Sequence, residues 1–160
     1  MAVRQASLLR TAFLLCGDRH EAEDLVQTTF ARLLMSWGRL RDPGARDAYA
    51  RRILVNEHVS SRRRPWRRRE VLTERLPEVA GPEVEPDDGT SAALWRVVLG
   101  LPVRRRTVLV LRYYDQLTEA EIAAAMGVSV GTVKSTASRA LADLRTRAAA
   151  EPALAPEVER

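Results

Sequence analysis

Residues 117–144 read LTEAEIAAAMGVSVGTVKSTASRALADL, two short helices around a glycine-centred break. Thr118 and Glu121 form a T-x-x-E capping box, in which each residue satisfies an otherwise orphaned backbone N–H at the start of the first helix. Ile122, Ala123 and Met126 make up its inward face. Gly127 can take the left-handed conformation that ends a helix, and Ser129 can cap the next. At about 100° per residue, Val130, Val133, Ala137, Ala140, Leu141 and Leu144 fall on one side of the second helix. Gly131, Thr132, Ser135, Ser138 and Arg139 fall on the other, with Lys134 on the flank. The alanines allow close helix crossing. The opposite face is small and polar and carries an arginine, so it is slim enough to enter a major groove and can hydrogen-bond there. A merely solvated face would favour Glu and Lys, yet no acid appears in this helix before Asp143. The stretch predicts a helix-turn-helix.

The flanking sequence is also helical. Ala92 to Leu99 and LPVRRRTVLVLRYYDQ (101–116) lead into the motif. Val108–Leu111 is apolar enough for a strand, but its neighbours all read as helix. In the N-terminal part, SLLRTAFLLCGD (7–18) gives a helix ending near Gly17. Asp18 and Glu21 then restart the chain with a D-x-x-E cap. Ala22, Leu25, Val26, Phe30, Leu33, Leu34 and Trp37 follow at three- and four-residue spacing, the pattern of a long amphipathic helix. RDPGA (41–45) is a turn with Pro43 placed for a first helical position. ARDAYARRILVNEHVSSRRR (45–64) makes a third helix ending in arginines. Residues 77–90, PEVAGPEVEPDDGT, hold Pro, Gly and five acids but little that can pack, and read as a flexible connector. The expected fold is all-α: a helical domain over 1–69, a connector over 70–90, a second helical domain over 91–150 and a disordered tail over 151–160.

Charge supports two separate contacts with one polyanion. Net charge is +8 over residues 1–69, −6 over 70–90 and +5 over 91–150. All but one of the 26 basic residues are arginine, whose planar fork suits phosphates and base edges. Cys16 is the single cysteine, so no disulfide framework exists and a reducing cytoplasm is the natural compartment. No run approaches the roughly 18 apolar residues of a membrane span. His20 and His58 are too few and too scattered to form a metal site with one cysteine, so no metal or cofactor is expected. No nucleophile or base pattern accompanies the carboxylates of HEAED (20–24), which argues against an enzyme.

Two segments together resemble a known family. Residues 101–144 look like the fourth conserved region of sigma-70-type RNA polymerase sigma factors, and GDRHEAEDLVQTTFARLL (17–34) looks like the second. Their order, with only a short linker between them, resembles the extracytoplasmic-function (ECF) branch. YARRILVNEHVSSRRRPWRRR (49–69) is similar to its actinobacterial sigma-E-like subgroup. The helix-turn-helix alone is common to many regulators; pairing it with the DLVQ helix makes the resemblance specific, over roughly residues 7–148. It implies a factor that recruits core RNA polymerase, through its β and β′ subunits, to promoter DNA, with room for an anti-sigma factor as a further partner.

Residue by residue, the resemblance places Asp24 and Gln27 on the clamp coiled coil of β′. Thr28 stands beside them where the family often has Glu. Tyr49 and Asn56 match positions that read the –10 element as single-stranded DNA, where an unstacked base needs an aromatic or amide partner. Arg46, Arg52, Arg62 and Arg63 would meet the phosphates. Tyr49 is as readily a core residue by its spacing. In the –35 element, Gly131, Thr132, Lys134, Ser135, Ser138 and Arg139 would face DNA. The family usually has a longer first helix than the segment before Leu14, and a short one would weaken packing under the Leu25–Trp37 stripe. The alternative from another class is a free-standing regulator on duplex operator DNA. It would need a ligand-binding or dimerisation domain, which residues 1–69 do not resemble.

Overall fold

The computed structural model describes residues 2–61 and 92–151, and every regular element among them is helical. The first lobe comprises α1 (Ala2–Cys16), α2 (Arg19–Ser36), a single 3₁₀ turn (Trp37–Arg39) and α3 (Pro43–Ser61). The second comprises α4 (Ala92–Leu99), α5 (Val103–Leu109), a five-residue π-helical turn (Val110–Tyr114), α6 (Glu119–Met126) and α7 (Val130–Ala150). The proposed connector, the arginine run from Arg62 onward and residues 152–160 lie outside the described residues.

Local chemistry sets the boundaries. Gly17, at φ +75°, ends α1, and the Asp18 side chain accepts from the Glu21 amide at 2.8 Å to begin α2. Asp42 does the same for α3 through the Ala45 amide, at 2.8 Å. α1 begins at Ala2, further upstream than the sequence periodicity reached, and Leu14 and Leu15 pack against Leu25 and Val26. Leu34 departs from the expected inward stripe and is 64% exposed. It lies nine residues from Leu25, about 180° away around the helix, and so points opposite the core. Val108–Leu111 continues α5 into the π-turn; none of it is strand.

The two lobes pack on one another. Val110 of the second joins the core formed by Leu14, Leu15, Leu25, Val26 and Leu54 of the first. Reciprocally, Val55 of α3 sits in the core of the second lobe with Val108, Leu111, Ile122 and Val133. Phe13 and Trp95 stack across the boundary, with ring centroids 6.2 Å apart. Complete burial of each valine contributes roughly 1.5–3 kcal/mol. The interlobe contact also has a polar centre. Thr11 donates to Asp115 Oδ1 at 2.8 Å, and Arg51 Nε faces Asp115 Oδ2 at 3.6 Å.

Gly17 and Gly127 both take positive φ, but their surroundings differ. A Cβ on Gly17 would come within 2.6 Å of the Leu99 side chain across the lobe boundary, whereas Gly127 has nothing within 4 Å. Gly127→Ala is expected to cost about 1 kcal/mol from backbone strain alone, and Gly17→Ala more, because Leu99 must also shift. Thermal unfolding of the two variants checks the ordering; equal losses would show that Leu99 yields without cost.

Burial raises the Asp115 carboxyl above its ordinary range, opposed by the Thr11 hydrogen bond and the Arg51 charge. A carboxyl raised in the folded state gives stability that is fully present below its unfolded pKa and is lost as pH rises through the folded one. Asp115→Asn lacks that loss. Relative to the native chain it is expected to gain stability as pH climbs from about 4 towards 7. Denaturant unfolding at several pH values tests this, and a pH-independent difference across that window would contradict it.

Candidate nucleic-acid interface

α6, the turn and α7 are held by the chemistry their sequence predicts. Thr118 and Glu121 make both halves of the capping box: the Glu121 carboxylate accepts from the Thr118 amide at 2.7 Å, and the Thr118 hydroxyl accepts from the Glu121 amide at 3.2 Å. The Thr118 amide and hydroxyl hold the Glu121 carboxyl below its usual range. Gly127 closes α6 at φ +65°, and Ser129 Oγ accepts from the Thr132 amide at 3.1 Å to open α7.

α7 divides its faces as the spacing requires, with one exception. Val133, Ala137 and Ala140 are buried, while Leu141 and Leu144 pack on Leu101 and Leu109. Val130 lies on the same stripe by angle but keeps 39% exposure: it is the first residue of α7, and the stripe is covered only from Val133 onward. Gly131, Thr132, Lys134, Ser135, Ser138 and Arg139 are all exposed. Gly131, Thr132, Ser135 and Ser138 are small and leave the helix surface open for close approach between Lys134 and Arg139. The Ser135 hydroxyl donates to the Thr132 carbonyl at 3.1 Å, and Thr132 Oγ1 lies 2.9 Å from Ser129 Oγ. Lys134 is tethered, with Nζ 3.7 Å from Glu119, whose other oxygen meets Arg112 at 3.2 Å. A phosphate reaching Lys134 therefore competes with Glu119.

On α3 the proposed DNA-facing residues separate into two groups. Arg52 and Asn56 are exposed, one turn apart. Arg46 is engaged inside the fold: its Nε donates to the Leu40 carbonyl at 2.7 Å and its guanidinium lies 4.1 Å from the centroid of the Trp37 ring. Tyr49 packs against Leu33, Ala50 and Ile53 and brings its hydroxyl 3.3 Å from Ser36 Oγ. Arg62 and Arg63 lie outside the described residues.

Asp24, Gln27 and Thr28 are exposed on α2, opposite the buried Leu25, Val26, Thr29 and Leu33. The same exposed stripe runs on through Ala31 to Leu34 and Met35, the latter 87% exposed. Leu34, expected in the core, and Met35 thus both lie on the outer face. Continuing the 24–27/28–31–35 spacing would have found Met35 on the outer face.

Among the described residues no group of three or more His, Cys, Asp or Glu could hold a metal ion, and no helix is long and apolar enough to cross a membrane. His58 is buried, with Nδ1 3.7 Å from Cys16 Sγ between α1 and α3.

Two family profiles match the chain. The family profile for Sigma-70 region 2 matches residues 3–68, and that for Sigma-70, region 4 matches residues 91–144. The RNA polymerase sigma-E factor of Streptomyces coelicolor is 41% identical over 160 residues, covering 98% of this chain and 88% of that protein. The ECF RNA polymerase sigma factor SigL of Mycobacterium tuberculosis is 34% identical over 148 residues, covering 88% of this chain and 81% of its own length. Among solved structures, the sigma factor RpoE of Bartonella quintana, crystallised in complex with the anti-sigma factor NepR, superposes with a TM-score of 0.69 at 25% identity, over 91% of this chain and 92% of that one. A free-standing regulator is not favoured, because the first lobe matches region 2. The chain belongs to the sigma-70 family of RNA polymerase sigma factors, and within it to the extracytoplasmic-function branch.

Proposed function

We propose that the chain binds core RNA polymerase through the exposed stripe of α2 and directs it to promoters with two reading faces. Residues 1–69 form the polymerase-binding and –10 unit, 70–90 the connector, 91–150 the –35 unit and 151–160 a tail. Asp24, Gln27 and Thr28, extended by Leu34 and Met35, meet the β′ clamp. Arg52 and Asn56, supported by Arg46 and Tyr49, meet the –10 strand, and Arg62 and Arg63 supply phosphate contacts. Gly131, Thr132, Ser135, Ser138 and Arg139 enter the major groove of the –35 element, with Lys134 on a phosphate. One observation carries this reading: a single chain exposes both an α2 stripe of mixed polar and apolar character and a slim, acid-free α7 face. The chain supplies no catalytic group, because polymerisation chemistry belongs to the core enzyme, and it acts in the cytoplasm beside polymerase and promoter. An anti-sigma factor, such as the one bound to the structurally similar RpoE, is a further partner.

Replacing both Asp24 and Gln27 with Ala is expected to abolish co-purification with core polymerase while leaving helical content unchanged. Both lie off the buried stripe, so folding should lose no more than about 1 kcal/mol. Undiminished co-purification would remove these residues from the interface.

Arg139→Ala is expected to weaken promoter binding by roughly 1–3 kcal/mol and to relax preference at one or two neighbouring base pairs. Lys134→Ala should instead weaken every sequence alike and flatten the salt dependence by about one unit of slope. Binding to promoter variants at several salt concentrations separates the two. Identical behaviour of both variants would leave α7 only a backbone-gripping role.

A further inference from the structure

We propose that Glu119 is a specificity-determining residue: it holds two cations at the edge of the α7 reading face and yields them to a phosphate that base contacts have fixed in place. The inference rests on the reading of α7 as the –35 face. Two acids open α6, and their uses differ. Glu121 is consumed locally, its carboxylate accepting from both the amide and the hydroxyl of Thr118. Glu119 takes no part in that box. Its Oε1 meets Arg112 at 3.2 Å and its Oε2 lies 3.7 Å from Lys134 Nζ, so one carboxylate joins the π-turn to α7. α7 itself carries no acid before Asp143, so the carboxylate at the edge of its free face is brought there by another helix.

A carboxylate, like a phosphodiester, presents two oxygens that share one negative charge, and here each oxygen is taken by a different cation. Glu119 thus stands in the free protein where a backbone phosphate would stand in the complex. Lys134 is the one lysine in a chain that otherwise relies on arginine. A compact ammonium on a flexible stem changes partners more readily than a planar guanidinium fork. Sequence-independent binding depends almost wholly on cations that neutralise phosphates. On unrelated DNA α7 is not seated in the groove, no phosphate is held against Arg112 and Lys134, and both stay on Glu119. Where Thr132, Ser135 and Arg139 match the bases, seating carries a phosphate to the two cations. Their bonds to Glu119 are solvent-exposed and weak, and a phosphate so held displaces them. Promoter variants differing at one or two base pairs still seat α7, so Lys134 serves them alike. The carboxylate therefore weakens attachment to unrelated sequence more than attachment to the target.

The test measures binding of the full-length chain to two short duplexes across a salt series by fluorescence anisotropy. One duplex is enriched by the unmodified chain from a random pool; the other is scrambled to the same composition. Glu119→Gln keeps the size of the side chain and removes its charge. On the scrambled duplex it is expected to tighten binding about fivefold or more near ~0.1 M salt and to steepen the salt slope by about one unit, the effect of one added phosphate contact. On the enriched duplex, where that contact is already made, binding should tighten by no more than about twofold. In a chain carrying Arg112→Ala and Lys134→Ala, Glu119→Gln should change neither duplex, because the carboxylate has nothing left to hold. Equal tightening on both duplexes overturns the proposal, since the carboxylate then repels DNA without discriminating. So does no tightening on either, or an effect that persists without the two cations. Glu119→Ala, a better helix former, serves in place of Gln if helical content falls. Failure of the unmodified chain to enrich any sequence would instead overturn base reading by α7, a result reached before Glu119 is changed.

Discussion

The packing of the two lobes on one another depends on two valines that cross between them. Val55 completes the core beneath the helix-turn-helix, and Val110 completes the core beneath α2. Each lobe alone would expose a hole where the other's valine sits, and each is small enough that one missing side chain is a substantial fraction of its core. Apolar burial is non-directional and would tolerate several relative placements of the lobes. The directional contact of Thr11 and Arg51 with Asp115 selects one of them.

The π-turn at Val110–Tyr114 makes both contacts available. Widening the helix there turns Val110 towards the first lobe while Val108 and Leu111 stay in the second. It also ends the helix at Asp115, whose amide donates to the Val110 carbonyl at 3.1 Å. Nearby, Arg106 is buried with its guanidinium donating to the Leu99 carbonyl at 2.7 Å, so its charge is accommodated at the C-terminal end of α4. The segment between α4 and α6 is thus shaped by polar groups placed inside it as much as by its apolar run.

The functional surfaces follow a simpler logic. On α2 and α7 alike, one stripe is consumed by packing and the remainder is left to partners. α7 carries small side chains on its free face and an ion pair from Lys134 to Glu119 at its edge. That pair is surface-exposed and therefore weak, so it orients Lys134 without withholding it from a phosphate.

Much of this was legible in the sequence because it is local. The Thr118–Glu121 box, the left-handed Gly127, the Ser129 cap and the two faces of α7 depend on residues within a few positions of each other, and helical geometry fixes their relations. Leu34 is apolar enough for the core, yet its angle alone puts it opposite Leu25 and it is exposed. The engagement of Arg46 with Trp37 and Leu40, and of Tyr49 with the α2–α3 core, could not be read, since a spacing that permits exposure equally permits packing. Nor could Asp115, which in sequence is one acid after two tyrosines. Its partners stand 64 and 104 positions away. Periodicity assigns a residue to the inside or the outside of its own helix. Which lobe's inside it enters, and which distant side chain meets it there, is settled only when the chain closes on itself.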